Sequence, residues 1–217
     1  MIAAVVLAAG LSRRMGTNKL MLPFGESTVL SHIVSVLQAC PLDEIVVVTG
    51  HEHEKVEEML GRYVGRHPHD DPSGLRFVYN PNYATGGMLS SIQVGLATMR
   101  SNCEAALIVL GDQPHIERRI VNQVIAARKP DTVVIPSFNG RGGHPILIDR
   151  AYWPEVLTLP PSANLREVLR AHAGDVRYIV VDTETVLRDV DTPEDYGQAI
   201  GQGTTASPKS FQNSQEA

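Results

Sequence analysis

Ser12, Arg13, Arg14 and Lys19 place a hydroxyl and three cations directly after the small-residue turn Ala8-Ala9-Gly10. Small side chains let backbone N–H groups approach a ligand closely, and Gly10 can take positive φ, so Ala9 to Ser12 can form a nest of donors for a polyphosphate. Arg14 suits a two-oxygen grip on a phosphate, and Lys19 suits point-charge neutralisation. Far along the chain, Asp112 comes after the apolar run Ala105 to Leu110 and Asp191 after the strand expected at Val186 to Val190, so each carboxylate would stand at the end of a strand. Paired carboxylates beside phosphates suit Mg²⁺, which takes one or two carboxylates plus water and phosphate oxygens. The chemistry implied is transfer at a phosphate. The same residues also fit blander roles: a basic surface loop, a turn-forming Asp112, and a helix start at Thr192-Pro193 with Glu194 and Asp195 in its first turn.

The elements that must position these groups can be read from periodicity. Ile2 to Leu7 is a continuous apolar run, as expected of a strand buried on both faces of a parallel sheet. Further strands are expected at Glu44 to Thr49, Leu75 to Tyr79, Ala105 to Leu110, Thr132 to Pro136, Pro145 to Asp149, Arg177 to Asp182 and Val186 to Val190. Helices are expected at Thr28 to Cys40, His51 to Tyr63, the Ile92-Leu96-Met99 stretch, Ile116 to Ala127 and Leu165 to Ala171. Strands alternating with helices imply an α/β fold, and ligands of open α/β sheets bind outside the carboxyl ends of the strands. Gly10, Asp112 and Asp191 would all arrive there.

Two further turns are candidates. Gly86-Gly87 with Ser90 stands at the start of a helix, where backbone donors and hydroxyls can meet a ligand or where a serine simply caps the helix. Gly142-Gly143-His144-Pro145 is a glycine-rich turn whose histidine can stack on a ligand or pack against the turn. His51 with His53, and His67, His69, Asp70 and Asp71, lack ligand spacing on a clear scaffold and read as surface groups.

Composition narrows the class. The 217 residues suit one α/β domain, here 1–200, followed by a polar, aperiodic tail at 201–217 that is expected to be disordered. A net charge of −5 argues against nonspecific nucleic-acid binding, and no apolar run reaches membrane-spanning length. Cys40 and Cys103 have no metal-type spacing and fit packing in a reducing cytoplasm. Neither G-x-x-x-x-G-K-[ST] nor G-x-G-x-x-G occurs, which disfavours an ordinary P-loop ATPase or dehydrogenase.

The stretch Leu7 to Lys19 resembles the LAAGxSxRMGxxK signature of nucleotidyltransferases acting on molybdenum cofactor and on sugar phosphates. Leu7, Ala8, Ala9, Gly10, Ser12, Arg14, Met15, Gly16 and Lys19 fall on it. With Gly111-Asp112-Gln113-Pro114, Gly143-His144-Pro145 and Asp189-Val190-Asp191-Thr192-Pro193, residues 1 to 200 are similar to the molybdenum cofactor cytidylyltransferase family. The resemblance implies a three-layer, Rossmann-like nucleotidyltransferase fold with a mostly parallel central sheet. It implies CMP transfer from CTP to the phosphate of molybdenum-molybdopterin, releasing pyrophosphate, with the product passing to a recipient molybdoenzyme or its chaperone. On that likeness Lys19, Arg14 and Asp112 are the catalytic residues, and Asp112 and Asp191 hold Mg²⁺. Leu7 to Gly10, Ser12, Arg14, Lys19, Gly86, Gly87 and Ser90 would bind nucleotide, and Gly142 to Pro145 the pterin. The alternatives are guanylyl or other nucleotidyl transfer to a related phosphorylated acceptor such as a sugar phosphate, and a non-catalytic cofactor chaperone. Within the likeness, Ala8-Ala9-Gly10 favours cytidylyl over guanylyl transfer.

Overall fold

A computed structural model of the chain describes residues 1–64 and 74–202. The segment with His67, His69, Asp70 and Asp71 lies outside the described residues, as does 203–217. In chain order, β1 (Ile2–Ala8) leads to a 3₁₀ turn at Lys19–Met21 and a small hairpin of β2 (Pro23–Phe24) and β3 (Ser27–Thr28). There follow α1 (Val29–Gln38), β4 (Glu44–Thr49), α2 (His53–Val64), β5 (Leu75–Tyr79), α3 (Gly87–Ala97), β6 (Ala105–Leu110) and α4 (Arg118–Ala126). Next come β7 (Val133–Phe138), β8 (Arg141–Gly142), β9 (Ile146–Asp149), α5 (Trp153–Thr158), α6 (Leu165–Ala171), β10 (Val176–Val180) and α7 (Pro193–Gln202).

The main sheet has the order β10-β7-β9-β6-β1-β4-β5, with β8 paired to β7. Strands β4, β6 and β5 extend the sheet in parallel from β1, and β10 is parallel to β7, whereas β9 runs antiparallel to both of its neighbours. The expected mostly parallel sheet is therefore present, with β9 reversed between β7 and β6 and the short β8 antiparallel to β7.

Alternation along β1 assigns the two core layers. Ala4, Val6 and Ala8 face a core with Leu30, Ile33 and Leu37 of α1, Leu60 of α2 and Val124 of α4. Ala3 and Val5 face the other core, with Ile92 and Leu96 of α3, Trp153 and Val156 of α5 and Val168 of α6. Helices on both faces make three layers. Both cysteines are buried in these cores, and burial pushes both thiols above their usual range.

Val186 to Val190 is not a strand. Glu184–Leu187 is a 3₁₀ turn begun by Thr183, whose side chain accepts from the Thr185 N–H, and the segment joins its surroundings by single bonds rather than a ladder. The preceding strand is Val176–Val180, two residues short of the expected end. No helix among the described residues is long and apolar enough to cross a membrane.

Candidate active site

Parallel pairing of β1 and β6, with Leu7 opposite Leu110, ends both strands at one level. The basic loop and the Gly111-Asp112 turn consequently leave the sheet side by side. They enclose a cavity of about 280 Å³ lined by Leu7, Gly10, Leu11, Ser12, Arg13, Arg14, Lys19, Leu20, Asp112 and Asp191.

The loop reaches its conformation differently from the expectation. The left-handed positions are Ser12, at φ 49°, and Gly16, at φ 69°, not Gly10. The chain turns at Ser12 because its carbonyl accepts from the Met15 N–H at 3.0 Å. Ser12 Oγ also accepts from the Lys19 N–H at 3.3 Å, and the Asn18 side chain accepts from the Leu20 N–H at 3.2 Å. These bonds fix the base of the Lys19 side chain, which is buried.

At the cavity floor, Lys19 Nζ donates to Asp112 Oδ2 at 2.6 Å and to Asp191 Oδ1 at 2.7 Å, and Arg14 Nη2 donates to Asp191 Oδ2 at 2.6 Å. Burial opposes the Lys19 charge, but the two carboxylates outweigh it and hold the ammonium above the usual lysine range. Partial burial likewise opposes the Asp191 charge, and Lys19 and Arg14 more than compensate, keeping its carboxyl below the usual range. Asp195 positions the backbone here, with its Oδ2 accepting from the N–H groups of Asp191 and Thr192 at 3.2 and 2.9 Å.

Sequence reasoning assigned no role to Asp189 or Gln113. Gln113 Nε2 donates to Asp189 Oδ1 at 2.6 Å. Burial, with the charges of Asp112 and Asp191 adding, raises the Asp189 carboxyl above its usual value. The available signals were their places in the Gly111 to Pro114 and Asp189 to Pro193 motifs and the D-V-D alternation, which turns Asp189 and Asp191 to the same side if the chain is extended.

The donor set suits a divalent cation. Asp112 Oδ1 is buried without a hydrogen-bond partner, and both carboxylates offer hard oxygens. No group of three or more His, Cys, Asp or Glu side chains among the described residues could hold a metal ion alone. Such an ion would complete its shell with water and phosphate oxygens, as Mg²⁺ commonly does. His53 instead packs tilted against Tyr79, centroids 4.6 Å apart, and the His51 and Tyr83 ring centroids are 6.3 Å apart.

Gly86, Gly87 and Ser90 lie outside the cavity lining, at the start of α3. The Asn80 to Gly86 turn that leads into α3 meets the loop through Tyr83: at Gly50 an added Cβ would stand 2.6 Å from Tyr83 Cβ and 2.8 Å from Ala9 Cβ. Ser90 Oγ accepts from Asn80 Nδ2 at 2.9 Å and donates to the Gly87 carbonyl at 3.0 Å. Gly142 to Pro145 reach the same sheet edge from the other side. Because β9 is antiparallel, with Ile146 opposite Ile108, its beginning lies where β6 ends. The His144 N–H donates to the Val186 carbonyl at 2.9 Å, and the His144–Pro145 peptide is cis. Arg166 of α6 lies near enough for its charge to act on the His144 ring.

The three-layer fold and its carboxyl-edge cavity fit one family by sequence as well: the model of the MobA-like NTP transferase domain matches residues 4–176, and the chain belongs to that family of nucleotidyltransferases. Over 196 residues it is 31% identical to the molybdenum cofactor cytidylyltransferase of Escherichia coli (strain K12), covering 90% of this chain and 93% of that one. It is also 30% identical over 195 residues to the purine catabolism protein PucB of Bacillus subtilis (strain 168), covering 88% and 92%. A solved nucleotidyl transferase from Methanothermobacter thermautotroptrophicus superposes with a TM-score of 0.78 at 25% identity, covering 95% of this chain and 99% of that one.

Proposed function

We propose that this nucleotidyltransferase moves CMP from CTP to the terminal phosphate of molybdenum-molybdopterin, giving the cytosine dinucleotide and pyrophosphate. The observation that carries the reading is the contact of Lys19 with both Asp112 and Asp191 on the floor of a cavity walled by the basic loop. The 31% identity to the E. coli cytidylyltransferase supports the substrates, which come to this chain by likeness.

A phosphate monoester has its second pKa at about 6, so the acceptor is mostly ionised at neutral pH and needs no general base. The residues instead bring two polyanions together and stabilise an in-line displacement. Arg14 and Lys19, with the Ala9 to Ser12 amides, hold the β- and γ-phosphates and the departing pyrophosphate. Leu7 and Ala8 lead into that loop, Gly86, Gly87 and Ser90 wall the base and ribose, and Gly142 to Pro145 receive the pterin. Asp112 and Asp191 would hold Mg²⁺, which supplies charge neutralisation at the triphosphate when bound. The domain is 1–200 in this reading, although α7 continues to Gln202.

The test is pyrophosphate release by the purified protein with Mg²⁺, molybdenum-loaded molybdopterin and CTP, GTP or ATP. Release with CTP alone is expected. Release with GTP would keep the mechanism and change the base, and no release with any nucleotide would overturn the reading.

A further inference from the structure

Lys19 stands where a bridging cation would stand. Its ammonium contacts one oxygen of each carboxylate, at 2.6 and 2.7 Å, and its side chain is only 11% exposed. Asp191 Oδ2 is taken by Arg14, whereas Asp112 Oδ1 is buried and unpartnered. A divalent ion using both carboxylates would sit at about 2.0–2.1 Å from its oxygens, inside the contact that the ammonium already makes. A monocation against both carboxylates also weakens the attraction that they offer to a second cation. The side chain can leave while its base stays put, because the bonds at Ser12 and Asn18 hold the backbone and the four-carbon stem is flexible.

We propose that Lys19 is a resident placeholder: its ammonium neutralises the Asp112–Asp191 pair in the metal-free chain and swings towards the phosphate loop when a divalent cation enters. This rests on the reading of Asp112 and Asp191 as metal carboxylates and adds a second position for Lys19. The nucleotide-free chain then binds the cation weakly, since entry breaks two hydrogen-bonded ion pairs. A triphosphate in the loop gives the displaced ammonium a new partner, so cation and nucleotide bind with positive coupling, each tightening the other equally.

The test titrates Mn²⁺, whose free form is read by electron paramagnetic resonance, into the nucleotide-free protein. Lys19→Met is expected to tighten Mn²⁺ binding by about tenfold or more, as fits the loss of a charge-assisted competitor. Lys129→Met, at an exposed lysine outside the cavity lining, is expected to leave it unchanged. Equal affinity of the wild type and Lys19→Met would overturn the placeholder. Asp191→Asn separates this from the underlying reading: loss of Mn²⁺ binding supports the metal assignment, and unchanged binding removes that assignment and the placeholder with it. Because Lys19 is buried, a wild-type measurement accompanies the variant. Acetylation of Lys19, followed by mass spectrometry relative to Lys129, is expected to accelerate several-fold in saturating Mn²⁺, and unaltered Lys19 reactivity would also overturn the proposal.

Discussion

The Val190 N–H donates to the Asp112 carbonyl at 2.8 Å, so the segments carrying Asp112 and Asp191 are tied by main chain. Their spacing does not depend on the carboxylate side chains themselves. Asp191→Asn keeps that tie and the side-chain shape while removing one charge from the contacts with Lys19 and Arg14. Turnover is expected to fall about 100-fold or more, the scale of losing a preorganised electrostatic group. The melting temperature should change little, because the Lys19 ammonium keeps its contact with Asp112 and the Arg14 pair is at the surface. Steady-state kinetics with a thermal melt checks both, and near-normal turnover would remove Asp191 from the reacting site.

Gly143 packs against the Glu184–Leu187 turn so closely that an added Cβ would lie 2.2 Å from the Val186 carbonyl oxygen. Backbone faces backbone there, and neither side can rotate away. Gly143→Ala is expected to lower stability by about 2–3 kcal/mol, the upper range for overpacking. Urea denaturation should show the midpoint falling with an unchanged m-value.

Burial, with the Arg166 charge adding, pushes the His144 imidazole down to about 4. An unfolded histidine titrates near about 6.5, so between these values the unfolded chain binds a proton that the folded chain refuses. The stability tied to neutral His144 is therefore full above that upper value, declines as pH falls through the window, and declines no further below the lower one. His32 and His115 are shifted the same way by burial, so the difference between proteins is the useful quantity. His144→Gln is expected to flatten the decline, as judged from urea midpoints measured across the window; parallel curves for the two proteins would contradict it.

Ser90→Ala leaves Asn80 Nδ2 with Ser91 Oγ, 3.0 Å away, as its remaining serine partner. The cost is expected to be about 1 kcal/mol, one net hydrogen bond. If Ser90 borders the ribose, KM for the nucleotide rises a few-fold with kcat retained. Titrating nucleotide at saturating acceptor distinguishes this from a purely structural effect, which would leave KM alone.

Much of the frame was legible because the signals were local. The apolar runs of β1 and β6 and the Ile45 to Val48 stretch of β4 are what burial on both faces requires, and Asp112 stands two residues after the end of β6. Thr28, read as the start of α1, is its N-cap, its side chain accepting from the Ser31 N–H. The reversal of β9 was hidden, since a short apolar segment carries no sign of pairing direction. Val186 to Val190 misled for a related reason: its apolar ends resemble a strand, but Val186 serves as acceptor for His144 and Val190 as donor to Asp112. The Lys19 contacts were equally hidden, because the two carboxylates meet only after the sheet has formed.

The place of β9 between β6 and β7 also bears on how the chain is made. Emerging from the ribosome, β7 is complete before β9, yet it cannot take its position beyond β9 until Asp149 is out. Until then the apolar edge of β6 stands open, an invitation to pair with another chain. Asp191 comes later still, so a nascent chain holds the basic loop and Asp112 before the second carboxylate that contacts Lys19 has been made.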